Sequence, residues 1–308
     1  MTAIANTIRR HPAAFITWIV LLVGWEVASH IVPESARESS PIVPSWEFVF
    51  TDSLKALSGN WTEPYWAPNP IRGGEETYLG AFLALGYHTL ATMTRLVIGL
   101  AIGVVAGMFS GLLVSYYLTA RRLAWPSLNF LRMVPLLAAI PLFQFWLGAN
   151  ARGTTTFIAF GVWVVIVVGT INAIGNVPDR YLESARTLGA TRIRTYLKVV
   201  IPGALPELRT SLLLAAGLSW SLAVGAEYIG LRTGLGSIMA VAEYTTNTGR
   251  MIVIAIVVGL CALLTFGVLD RLFSRLVSWM PRLDDGGLTQ VAGAGAVGAG
   301  KAVGTTPT

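Results

Sequence analysis

A helix needs roughly 20 mostly apolar residues in a row to cross the hydrocarbon of a bilayer. Six stretches of this chain meet that requirement: 13–32, 90–115, 123–147, 154–174, 208–229 and 251–272. Between them they leave little sequence from which to build a water-soluble surface. Only 12% of the 308 residues are charged, against about 25% in soluble domains. A soluble fold of this size could not hide so much apolar surface. The first stretch follows Arg9 and Arg10, but it is too long for a signal-peptide core and no small-x-small cleavage site follows, so it reads as an anchor.

The net charge of +6 does not point to nucleic acid, because the basic residues cluster at the ends of apolar blocks. Alternating the six spans puts Arg9, Arg10, Arg121, Arg122 and the segment 175–207 on one side. That segment carries Arg180, Arg186, Arg192, Arg194 and Lys198. The segment 33–86, on the other side, holds seven acids (Glu34, Glu38, Glu47, Asp52, Glu63, Glu75, Glu76) against Arg37, Lys55 and Arg72. By the positive-inside rule both termini of this multi-pass protein are then cytoplasmic.

Within 33–86, residues 44–57 form an amphipathic pattern capped by Ser45, expected to lie at the outer interface. Trp61, Tyr65 and Trp66 among prolines suggest an irregular loop. In the second span Gly99, Gly103, Gly107 and Gly111 recur every four residues, a face that lets another helix approach closely. The single cysteine, Cys261, excludes an internal disulfide and a cysteine-built zinc site. His11, His30 and His88 show no ligand spacing, so no metal site is expected.

Two motifs in the tail imitate nucleotide binding. Gly293, Gly295 and Gly298 satisfy G-x-G-x-x-G, and Gly295 to Lys301 follows a Walker A loop until Ala302 replaces its hydroxyl residue. No strand or helix flanks them to orient the amides, and residues 282–308 read as a disordered Gly/Ala tail. Asn60-Trp61-Thr62 fits a glycosylation sequon with nothing else to support it. No Ser-His-Asp arrangement or paired carboxylates mark an enzyme.

The segment 175–207 is basic yet strongly helical in pattern. Pro178 and Asp179 suit a helix start, and Leu182, Ala185 and Leu188 share a face. Gly189 suits a sharp turn. Thr191 can cap a second helix with Ile193, Tyr196, Leu197 and Val200 on its apolar face, which Pro202 and Pro206 are expected to end. Two short amphipathic helices hinged at a glycine require a partner to cover them.

Here the spacing becomes specific. Glu183-Ser184-Ala185, three residues, Gly189, nine residues, then Val199-Val200-Ile201-Pro202 resembles the EAA loop (E-A-A-x3-G-x9-I-x-L-P) of binding-protein-dependent ABC importer permeases. Ser184, Val199 and Ile201 depart mildly from that pattern. The likeness runs from about residue 87 to residue 281. Leu131 to Pro135, Pro141, Trp146-Leu147-Gly148, Gly225-Ala226-Glu227 and Thr233 to Gly236 resemble the nitrate/sulfonate/taurine branch.

The resemblance implies an all-α membrane protein of the type I ABC importer permease fold, with six transmembrane helices and a two-helix cytoplasmic coupling loop. Its regions would be a cytoplasmic N-terminus (1–12), an anchor helix (13–32), an extracytoplasmic segment (33–86), a five-helix permease core (87–281) and the tail (282–308). Glu183, Ser184, Ala185, Gly189, Ala190, Ile201 and Pro202 would couple it to the ATPase, with Glu183 touching the ATPase or capping its helix. Two copies would pair around a central path. Two separate ATPase subunits would bind ATP and magnesium, leaving no catalysis or cofactor in this chain. An extracytoplasmic protein would deliver a small, anionic, nitrate-, sulfonate- or taurine-like solute. A secondary transporter driven by an ion gradient is the alternative, but it usually needs internal repeats and paired midplane acids.

Ionisable residues inside spans default to functional hypotheses. Glu26, Arg95, Arg132 and Glu227 qualify. Arg95 is expected to snorkel outward or act. Arg132 is expected to pair with Glu26 or Glu227, or to face an anion. Arg132, Trp146, Trp220 and Glu227 are the candidates for the translocation path.

Overall fold

The computed structural model describes residues 12–32, 41–60 and 76–277, and every regular element among them is helical. Arg9, Arg10, His11, Trp61, Tyr65, Trp66, most of the sequon and the glycine-rich tail lie outside the described residues. The elements are α1 (Pro12–Ile31), α2 (four consecutive pieces, Trp46–Phe48, Val49–Ser53, Leu54–Ala56 and Leu57–Asn60), α3 (Tyr78–Tyr116), α4 (Leu118–Met133), α5 (Ile140–Leu147) and α6 (Ala151–Gly175). They continue as α7 (Asp179–Thr187), α8 (Arg192–Thr195), a π turn (Tyr196–Val200), α9 (Ile201–Gly230), α10 (Leu235–Tyr244) and α11 (Thr248–Leu276).

Four of these bodies are long and apolar enough to cross a membrane: α3, α6, the α8–α9 rod and α11. The expected span 123–147 is not a single helix. It is α4 and α5, bent by 86° at the break between them. The physical cause is Pro135, which denies Val134 the helical region and leaves it extended at ψ 127°. If the bent pair counts as one crossing, the long spans number five among the described residues. α3 is also longer than expected. It begins at Tyr78, where the Thr77 hydroxyl accepts the Gly80 N–H at 3.2 Å.

α6 sits at the centre, packed on α3 along one flank and α9 along another. Its union with α3 follows from the glycine stripe. A Cβ on Gly99, Gly103, Gly107 or Gly111 would stand 2.6–2.8 Å from Ile158, Val162, Ile166 and Thr170 respectively. Carbon atoms prefer about 3.5–4.0 Å, so only glycine lets the two backbones come this close. The partner stripe on α6 has the same four-residue repeat, and one helix fits the other turn by turn. The remaining face of α3 (Ile102, Val105, Phe109, Leu113) and much of α11 (Leu260, Leu263, Leu264, Val268) stay exposed, as surfaces facing lipid do.

α2 is bound into the bundle by its apolar side. Ser45 does cap it, accepting the Phe48 N–H at 3.3 Å, and Val49, Ser53 and Leu57 are fully buried against α3 and α11. Gly249 of α11 lies so close to Ser53 that a side chain there would collide with its hydroxyl. α1 joins this element through Trp25, which donates to the Pro44 carbonyl at 3.0 Å, and Glu26, which accepts the Trp46 N–H at 3.1 Å.

Candidate functional site

Two ends of the bundle concentrate the polar chemistry. At one, the basic end, α3, α6 and α11 finish and α9 begins; α7 and α8 cross it. α7 ends in a Schellman motif: the Ala190 N–H reaches the Ala185 carbonyl at 3.0 Å and the Gly189 N–H the Arg186 carbonyl at 2.9 Å. Gly189 sits at φ +73°, and a Cβ there would meet nothing within 4 Å. The turn thus needs glycine for its backbone angle and not for space. Thr191 then caps α8, its hydroxyl accepting the Arg194 N–H at 3.4 Å.

The inner face of this loop is anchored. Ala185 is buried, and Val200 packs with Ala173, Val177, Ala204, Leu208 and Phe273, with Leu182 and Tyr196 partly buried beside them. The Tyr196 hydroxyl donates to the Leu112 carbonyl at 2.7 Å. Arg192 donates to the Tyr116 carbonyl at 2.8 Å and lies over its ring at 4.9 Å. Tyr116 closes α3, so this cation meets a carbonyl the helix cannot satisfy itself, at the negative end of its dipole.

The outer face is bare. Leu188 is 87% exposed, and Tyr181, Ile193 and Leu197 stand out with it. Leu188 therefore leaves the face it was expected to share with Leu182 and Ala185; it is already past the last turn of α7. Ile193 and Leu197 likewise part from Tyr196 and Val200. Glu183 is exposed at the middle of α7 and so caps nothing in its own helix. Ser184 returns its hydroxyl to the Arg180 carbonyl at 2.7 Å, which leaves the helix surface there little more polar than alanine would.

Pro202 and Pro206 do not end the helix. The π turn just before them widens the backbone, with the Ile201 N–H bonding back to the Tyr196 carbonyl, five residues away. Pro202 then enters at the start of α9, where a missing N–H costs nothing. Residues 192–230 run as one 39-residue body.

At the opposite end stands a buried polar knot. Arg95 does not snorkel outward, one of its two expected fates: it is buried and paired with Glu227 at 2.5 Å. Its guanidinium also donates to the Thr233 carbonyl at 2.7 Å and the Thr233 hydroxyl at 2.5 Å. Glu227 is 0% exposed and accepts from Thr92 at 2.7 Å and from the Gly236 N–H at 3.2 Å. His88 Nδ1 accepts the Gly234 N–H at 3.0 Å, which places the ring proton on Nε2, 3.2 Å from the Asn60 carbonyl. The knot ties α2, α3, α9 and the entry to α10 together. Gly234, at φ +117°, faces the Glu227 carboxylate so closely that any side chain would overlap it.

The candidate path residues do not converge. Glu227 is sealed in the knot, and Trp220 is buried in the core. Trp146 is 64% exposed on the short α5. Arg132 pairs with neither expected acid: Glu227 is held by Arg95, and Glu26 by His30 and Trp46. Instead it opens onto a cavity of about 450 Å³ with Asn172, Ser211 and Gly169, walled by Val165, Val168, Leu214 and Leu218. No signal in the sequence set Asn172 and Ser211 beside Arg132, since they come from α6 and α9.

Residues 77–278 match the profile of the family described as the binding-protein-dependent transport system inner membrane component. The taurine transport system permease protein of Escherichia coli (strain K12) is 30% identical over 63% of this chain and 71% of its own. The nitrate import permease protein of Leptolyngbya laminosa is 26% identical over 89% of this chain and 90% of its own. Among solved structures, an inward-facing form of the MetNI methionine ABC transporter aligns with TM-score 0.52 at 22% identity, covering 62% of this chain and 94% of that one. That likeness speaks for the fold.

Proposed function

The chain belongs to the family of binding-protein-dependent transport system inner membrane components, and on that premise we propose that the bare outer face of α7 and α8 is where it receives the ATPase. It is a permease subunit of an ATP-driven importer and carries no ATPase activity itself. Its family works with ATPase subunits and a solute-binding protein.

The observation that supports the docking role is the division of the loop into an anchored face and a bare apolar one. Leu188, Ile193, Leu197 and Tyr181 stand exposed on a loop whose second half is bonded from beneath to α3. Glu183 lies on the same solvent side. A rigid element with an uncovered apolar face transmits force in both directions once a partner seats on it. In this reading the basic end is cytoplasmic, with both termini. Two copies of the permease pair around the path, and two ATPase subunits hold the ATP and magnesium. Glu183, Ser184, Ala185, Gly189, Ala190, Ile201 and Pro202 frame the coupling element.

The solute in this reading is a small anion with a short apolar body, of the nitrate, sulfonate or taurine kind. The Arg132 cavity offers one guanidinium, one amide and one hydroxyl among aliphatic walls. A guanidinium fork matches oxyanion geometry, and the aliphatic wall suits an alkyl chain. Trp146 is a second, more exposed, contact along the same bent pair.

The docking role is tested by pull-down of the ATPase with Leu188→Glu and with Glu183→Lys. Association should fall steeply for both while the permease still inserts; undiminished association would refute the docking face. The solute role is tested separately with Arg132→Gln in proteoliposomes. Taurine or nitrate uptake should drop about tenfold or more, as expected for a lost charged hydrogen-bond partner, with ATPase association intact.

A further inference from the structure

Behind the loop, on its anchored side, lies a second cavity of about 470 Å³. We propose that it holds the phosphate group of an anionic phospholipid.

Three guanidinium groups from three elements line the cavity: Arg121 of α4, Arg186 of α7 and Arg192 of α8. Against them it holds one carboxylate, Asp179. The guanidinium groups of Arg121 and Arg186 have no hydrogen-bond or ion-pair partner among the described residues. The Ser115 hydroxyl, also in the wall, is buried without a hydrogen-bond partner. An excess of positive charge with spare donors is a built receptor for an oxyanion. Basic pockets between transmembrane helices are where lipid phosphates bind.

The surroundings distinguish a lipid from a free anion. Along α3, Ile102, Val105, Phe109 and Leu113 form one exposed apolar stripe that descends to Tyr116, in the cavity wall. Tyr117 and Leu118 continue it, exposed, to within one turn of Arg121. An acyl chain can follow that stripe while its phosphate turns in among the arginines. An acidic side chain of the ATPase would have to reach past α7 and α8 from their outer face. A lipid seated here would bridge α4 to the coupling loop, so membrane composition would set how firmly the loop is held. The site stands whether or not the outer face docks an ATPase.

The test uses the full-length protein in mixed phosphatidylglycerol and phosphatidylcholine micelles, with bound lipid counted by native mass spectrometry. The wild type should retain phosphatidylglycerol over phosphatidylcholine, and excess inorganic phosphate should not displace it. Arg121→Gln should lower that preference about fivefold, the worth of one basic residue near an anionic headgroup. Asp179→Asn should raise it, a gain that misfolding cannot imitate. Arg152→Gln, at the other end of α6, should leave it unchanged. Equal retention in Arg121→Gln, no rise in Asp179→Asn, or displacement by inorganic phosphate alone would each overturn the proposal.

Discussion

The two ends of this bundle handle charge in opposite ways. In the Arg95–Glu227 knot both charged groups are buried, and each meets two or more partners. Glycine is forced at position 234 by both angle and space. At the Gly189 end cations stand exposed and apolar side chains face outward. There glycine is needed only for its angle. The knot satisfies its polar groups within one chain. The Gly189 end leaves apolar side chains uncovered, and the proposed ATPase docking rests on that contrast.

Substitutions sharpen that contrast by what they cost. The largest effect should come from Glu227→Ala, which leaves Arg95 buried and unpaired. Removing one partner of such a pair costs about 3–5 kcal/mol, seen as a large fall in thermal stability in detergent. Gly234→Ala should follow at about 2–3 kcal/mol, combining backbone strain with overlap of the Glu227 carboxylate. Gly189→Ala should cost only about 1–2 kcal/mol, for the left-handed angle alone. Smallest in stability is Leu188→Ser, expected within about 0.5 kcal/mol, yet it should weaken ATPase association. If Gly189→Ala proved as damaging to stability as Gly234→Ala, the two ends would not differ as described.

Much of the architecture was legible because its determinants repeat locally. The four-residue glycine stripe, the caps at Ser45 and Thr191 and the turn at Gly189 each depend on neighbours within a few residues, so spacing announces them. The family likeness was legible for the same reason, through Glu183, Gly189 and Pro202. The knot was not. Arg95 and Glu227 are 132 positions apart, and a single charge near a span end looks the same whether it snorkels or pairs. Of the two readings of Arg132, the pairing with Glu26 or Glu227 failed for the complementary reason, since those acids are engaged by residues elsewhere in the chain. Pro202 misled because the rule that a proline ends a helix assumes an α-helical backbone ahead of it, while Pro206 is simply carried inside α9. Ahead of Pro202 that backbone widens first.

That widening has a geometric consequence. Each α-helical residue turns the chain by about 100°, and the turn at Tyr196–Val200 carries its hydrogen bond one residue further than an α-helix would. It therefore acts as a phase shifter between α8 and α9. Removing one residue from it would keep both helices and their sequences, yet swing the bare face of α8 by about a quarter-turn relative to the bundle. The direction of the face proposed to meet the ATPase is set by a single surplus residue in the backbone.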